Sequence, residues 1–170
     1  MGAVLVLAIA RTLNREVFAS QILAHTSHFK ILSEKDAEVI CALAPAILAG
    51  GLPDDAAERE RAIQEVVTAF DRTVLGLSPA VQKEVQQLLS LLTFSLSRRW
   101  IAGLNKTWNE ASAADVKTFL HDWRNHRFQL LQQGYQALAR VIIACWYGNP
   151  RSWQTIGYAG PPFAEQLGAR

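Results

Sequence analysis

The chain has 170 residues and a mass of 18.8 kDa, the length of one domain that can bury its own core. Hydrophobic residues make up 50% and charged residues 19%, which excludes a disordered chain. Lys and Arg number 17 against 15 Asp and Glu, so the net charge is only +2 and gives no electrostatic case for nucleic acid binding. The two cysteines, Cys41 and Cys145, exclude a disulfide scaffold and a zinc ribbon.

The chain opens on an apolar run, Ala3 to Ala10, of eight residues, whereas a membrane-spanning helix needs about 20. Val39 to Gly51 is also uncharged, but it is short and contains Pro45. No transmembrane helix is expected. Met1-Gly2-Ala3-Val4-Leu5 lacks the positive region of a secretory leader, and Arg11 and Arg15 follow the apolar run instead of preceding it. Leu7, Leu13, Val17, Phe18 and Ile22 give loose helical spacing over Ala3 to Ala24, within an N-terminal segment taken as residues 1–31.

A second helix is predicted from Glu34 to about Ala49, with Ser33 as its cap and Asp36 three residues on. Gly50-Gly51 and Pro53 stop it. Asp54 and Asp55 offer caps to a third helix, whose apolar stripe is Ile63, Val67, Phe70 and Val74. Glu58, Arg59, Glu60 and Arg61 cover its early solvent face, and Gly76 and Ser78 mark a break. Ser78-Pro79 starts the next helix, a cap followed by proline at the first helical position, with Val81, Val85, Leu88 and Leu92 at helical spacing. Gly103 to Asn109 reads as a loop. Ser112 with Asp115 then opens the longest helical stretch, to about Tyr147, with Val116, Leu120, Trp123, Leu130, Leu138, Val141 and Cys145 near one stripe. Arg127 and Gly134 interrupt that stripe, so it is either one kinked helix or two stacked ones. No segment alternates as a strand does. The expected fold is all-α, a single domain over residues 1–170, built as a bundle of about five helices. An irregular, aromatic, Gly/Pro-rich C-terminal arm follows over residues 148–170.

Few residues point to catalysis. Asp122 and His126 have the i, i+4 spacing of a metal pair, with His121 beside them, but HExxH is absent and the plainer reading is a solvated helix face. His25 and His28 are three apart and match no zinc-helix spacing. Cys41 and Cys145 lie in apolar helical stretches, as buried small hydrophobes do. Trp100, Trp108 and Trp123 read as packing aromatics, and Arg98-Arg99 as a favourable charge pair after a helix. No P-loop, GxGxxG after a strand, GxSxG or haem-attachment motif is present, so no catalytic, metal or cofactor-binding residue is assigned.

The informative segment is residues 146–162, Trp-Tyr-Gly-Asn-Pro-Arg-Ser-Trp-Gln-Thr-Ile-Gly-Tyr-Ala-Gly-Pro-Pro. Gly148 ends the long helix, with Pro150 just beyond. Prolines lower the entropy lost on ordering an arm, and Trp and Tyr dominate interface hot spots. The candidate partner-binding residues are therefore Trp146, Tyr147, Asn149, Pro150, Trp153, Ile156, Tyr158 and Pro161. The alternative is that the arm folds back on its own helices.

Trp-Tyr-Gly-Asn-Pro, then Trp-x-x-Ile-Gly-Tyr-x-Gly-Pro-Pro, resembles the C-terminal signature of small accessory subunits of bacterial flavin dehydrogenases. These are related to the gluconate 2-dehydrogenase subunit 3 group and are often described as twin-arginine leader-containing periplasmic proteins. Supporting positions are Leu32-Ser33, Ser78-Pro79-Ala80-Val81, Phe119-Leu120-x-x-Trp123-Arg124, Leu130-Leu131 and Tyr135-x-Ala137-Leu138, and the similarity covers roughly residues 32–162. The resemblance implies a chain without a cofactor of its own. Such a chain pairs with a large FAD-containing oxidoreductase of the glucose-methanol-choline type that oxidises a sugar or alcohol, often with a cytochrome c subunit as electron acceptor. It supports the partner's folding, stability or export, and a periplasmic location follows. No Arg-Arg leader precedes Ala3 to Ala10, which leaves a cytoplasmic location open. Two other readings stand beside it: a peripheral membrane protein using the apolar opening segment, and a small helical enzyme using His121, Asp122 and His126.

Overall fold

A computed structural model describes residues 29–94 and 106–159. The helix expected over Ala3 to Ala24, the Arg98-Arg99 pair, Trp100 and Pro161 lie outside the described residues. The described residues form six helices and no strand: α1 (Glu34–Ile47), α2 (Ala56–Leu75), α3 (Pro79–Thr93), α4 (Ala113–Arg124), α5 (Gln129–Tyr147) and the short α6 (Pro150–Thr155). The fold is all-α, as the patterning predicts.

The helix starts are local chemistry. Ser33 and Asp36 form a capping box at α1, and Ser112 and Asp115 form another at α4. Asp55 caps α2 by accepting from the Glu58 amide at 2.9 Å. Pro79 occupies the first turn of α3, although the Ser78 side chain makes no capping bond there.

α1 packs against α2, α3, α4 and α5 and is the central helix. That position explains the uncharged run after its first turn, since a helix surrounded by others needs apolar residues on several faces. Val39, Ile40, Leu43 and Ala44 are fully buried. α2 packs most extensively on α5, and Ile63, Val67, Phe70 and Val74 form its buried stripe.

The long stretch from Ser112 to Tyr147 is two helices. α4 ends at Arg124, and Asn125 takes its cap, with its amide donating to the His121 carbonyl. Two members of the expected stripes fall off the core. Leu130, in the first turn of α5, is 77% exposed, and Val81 is exposed near the start of α3. Both lie in the first turn of their helices. Gly134 interrupts the α5 stripe because α3, α4 and α5 meet there. A Cβ at that position would lie 3.1 Å from Leu88 Cδ1 and 3.6 Å from Trp123 Cζ2. Around it Trp108, Phe119, Trp123 and Tyr135 form a chain of ring contacts, with centroids 5.1, 5.6 and 5.7 Å apart.

One buried charge ties the entry segment to the bundle. The Asp71 carboxylate of α2 accepts the backbone N–H groups of Lys30, Ile31 and Leu32 at 3.0, 2.9 and 2.9 Å. Those amides precede α1 and have no helical partner of their own, so the carboxylate takes the place of water.

Candidate partner-binding site

Residues 148–159, the described part of the arm expected over residues 148–170, include a short helix and a turn where the composition predicts an irregular stretch. Asn149 and Pro150 start α6: the Asn149 side-chain oxygen accepts the Arg151 amide at 3.0 Å, and proline fills the first helical position. The Ser152 hydroxyl, fully buried, donates to the Asn149 carbonyl at 2.7 Å. Glu65 of α2 holds this helix to the bundle. Its Oε2 accepts from Asn149 Nδ2 and its Oε1 from Arg151 Nη1, both at 2.6 Å.

The chain then turns at Gly157, whose φ of +66° lies in the left-handed region that glycine adopts without strain. The turn closes with the Tyr158 amide donating to the Trp153 carbonyl at 2.9 Å. Trp153 Nε1 donates to the Tyr147 carbonyl at 2.9 Å, and its ring meets the Tyr158 ring edge-on, 5.6 Å between centroids. The result is a closed hook at the end of α5.

The candidate partner-binding residues divide between the core and this hook. Trp146 is 1% exposed and its Nε1 donates to the Gly51 carbonyl at 2.8 Å, so it anchors α5 to the turn after α1 and presents no surface. Asn149 is half-buried and caps α6, while Pro150 is exposed. Trp153 is half-buried against Tyr158. Tyr147, Ile156 and Tyr158 remain exposed, at 39%, 52% and 47%. Exposed aromatic and branched side chains on a fixed frame are the usual makings of an interface. Glu65, Arg151 and Ser152 were not legible as site residues. The Asn-Pro pair carried the signal for α6, the same cap-then-proline pattern that marks α3.

The histidine cluster behaves as surface. His121 Nδ1 lies 3.2 Å from Asp122 Oδ1, and His126 Nδ1 accepts the Phe128 amide at 3.1 Å. Among the described residues no three His, Cys, Asp or Glu side chains converge as a metal site, and no helix is long and apolar enough to cross a membrane. Both cysteines are free. Burial, aided by the negative charge of Glu38, pushes the Cys41 thiol up to about 12. Burial also raises Cys145, offset in part by the Thr73 hydroxyl 3.7 Å away. Neither is an activated nucleophile.

Beside the hook runs an open groove of about 560 Å³. Its floor and walls come from the outer face of α2, the last turn of α5 and the start of α6. Comparison with protein-family models, with curated proteins and with solved structures finds no match.

Proposed function

We propose that this chain is a non-catalytic accessory subunit. It binds a large FAD-dependent oxidoreductase of the glucose-methanol-choline type, one that acts on a sugar or alcohol, and it supports that partner's folding, stability or export on the periplasmic side. The FAD belongs to the partner, and a cytochrome c subunit takes the electrons in the same assembly. The observation that carries this reading is the hook. Tyr147, Ile156 and Tyr158 are left exposed on a frame that Glu65, Asn149 and Trp153 hold in place. A frame of this kind loses little conformational freedom on binding, which favours association. The motif resemblance over residues 146–162 supplies the identity of the partner.

The test is affinity capture of the full chain from its native host, followed by the flavin absorbance of the eluate. A large yellow companion is expected. An Ile156→Asp/Tyr158→Asp double variant keeps Trp146 and the Glu65 contacts and gives up only the Trp153–Tyr158 ring contact, so it should fold with a melting temperature within a few degrees of the wild type and lose the companion. Capture of the flavoprotein by that variant at the wild-type level would refute the hook as the anchor. A wild-type chain that elutes alone and colourless would refute the flavoprotein reading itself.

A further inference from the structure

The groove beside the hook has charges that the fold leaves unmatched. Arg61, Glu65, Thr68 and Arg72 follow one another along α2 at intervals of about one turn. From Arg61 to Arg72 the helix makes three turns and returns to within about 20° of the same azimuth, on the side opposite the buried Ile63, Val67, Phe70 and Val74. All four residues of the outer row line the groove, and Cys145 and Asn149 line its other wall. Cys145 lies by Thr73 and Asn149 by Glu65, so that wall runs antiparallel to α2.

Glu65 is the groove's carboxylate, and Arg151 already pairs with it. Among the described residues neither Arg61 nor Arg72 has a carboxylate within salt-bridge distance. The groove is thus cationic at each end, while between the two arginines the Glu65 carboxylate is already paired with Arg151 and its neighbours Thr68 and Ala69 are uncharged. The Arg61 and Arg72 backbones are about 16 Å apart, from the rise of the helix. An extended segment covers that distance in about five residues, at about 3.3 Å each.

We propose that this groove binds an extended acidic segment of the partner protein, with two carboxylates four to six residues apart and uncharged residues between them. One carboxylate meets Arg61 and the other Arg72, where the guanidinium fork matches a carboxylate. The groove reaches Asn149 and Pro150, where α6 begins, so the bound segment ends beside the base of the hook. The inference takes the source of the segment from the partner-binding reading, and the chemistry of the segment from the groove alone.

The probe is a set of capped, fluorescein-labelled peptides of Ala and Val, with two Glu residues separated by one to eight positions. Binding to the full chain is read by fluorescence anisotropy. Affinity should peak at a separation of four to six and exceed that of single-Glu peptides by about two- to fivefold, the factor an exposed ion pair is worth. It should also fall as salt is raised. Arg61 and Arg72 are exposed, so an R61E/R72E chain should stay folded, with a melting temperature lowered by only a few degrees through the helix dipole and the neighbouring Glu58 and Glu65, lose the acidic peptides, and prefer the matching set with two Lys residues. The proposal is overturned if no peptide binds, if affinity is indifferent to the separation, or if the charge-reversed chain keeps the acidic preference. These outcomes are independent of flavoprotein capture. Peptide binding with the charge swap sustains the groove even where no flavoprotein is captured, and its absence removes the groove even where one is.

Discussion

Replacing Asp71 with alanine should be among the most damaging single changes outside the apolar core. The wild-type carboxylate is 6% exposed and accepts three backbone amides, those of Lys30, Ile31 and Leu32. Hydrogen bonds to a charged acceptor are worth about 1.5–3 kcal/mol each, which sets an upper bound. The full sum does not apply, because Lys30 is exposed and Ile31 half-buried, so water replaces the acceptor there. Leu32 is buried, and its amide bears the whole desolvation penalty. The net loss should be about 3–4 kcal/mol, a large share of the roughly 5–15 kcal/mol that holds a domain together. Asparagine makes the sharper test. Oδ1 accepts from both Ile31 and Leu32, and an amide keeps such an oxygen, while only the Oδ2 bond to Lys30 meets a donor instead. Asp71→Asn should therefore lose about 1–2 kcal/mol. Urea denaturation of both variants gives the energies, and hydrogen exchange at the Ile31 and Leu32 amides gives the location. Equal losses for the two variants, or a loss below about 1 kcal/mol for Asp71→Ala, would refute the three-bond account.

The remaining predictions concern the C-terminal hook and the α4 cap. Trp146→Phe removes the bond to the buried Gly51 carbonyl and part of the core volume. It should cost about 2–3 kcal/mol in thermal or urea unfolding, and a loss under about 0.5 kcal/mol would contradict the anchoring role. Glu65→Ala breaks two contacts that are partly solvated, so it should lower global stability by about 1 kcal/mol or less. Its main effect should be faster hydrogen exchange over residues 150–158 and a red-shifted Trp153 emission, and unchanged exchange there would show that Glu65 does not hold α6. Lys106, then the Ser112 hydroxyl and amide, keep the Asp115 carboxyl well below the usual carboxylate range. A lowered pKa stabilises the fold at pH above the unfolded value, about 3.9, and that contribution is lost as the pH falls below it toward the folded value. The melting-temperature gap between wild type and Asp115→Asn should accordingly narrow from pH 6 to pH 2, and a constant gap would refute it.

What could be read from the residues in order was whatever acts over one or two turns of chain. Ser33 with Asp36 and Ser112 with Asp115 are i, i+3 pairs whose partners are fixed by the helix they start. The stripe of Ile63, Val67, Phe70 and Val74 identified the buried side of α2 by its spacing alone. The division of the Ser112–Tyr147 stretch was visible only as an interruption, since Arg127 and Gly134 fit either a kink or a break. The Asn149-Pro150 start of α6 was present in the sequence but competes with Gly148, which by itself reads as the end of ordered chain.

The tertiary structure decided everything that depends on residues far apart in the chain. Asp71 looks like an ordinary helix-surface acid until the fold brings the Lys30 to Leu32 amides against it. Trp146 and Tyr147 are adjacent and both aromatic, yet a helix turns neighbours by about 100°, so one enters the core and the other faces solvent. Glu65 acquires its role only when α5 returns along α2 and delivers Asn149 and Arg151 to it. Composition and periodicity determined that the chain is a helical bundle. Which aromatic side chains stay exposed was settled by packing, because a core takes the side chains whose positions point inward whatever their type.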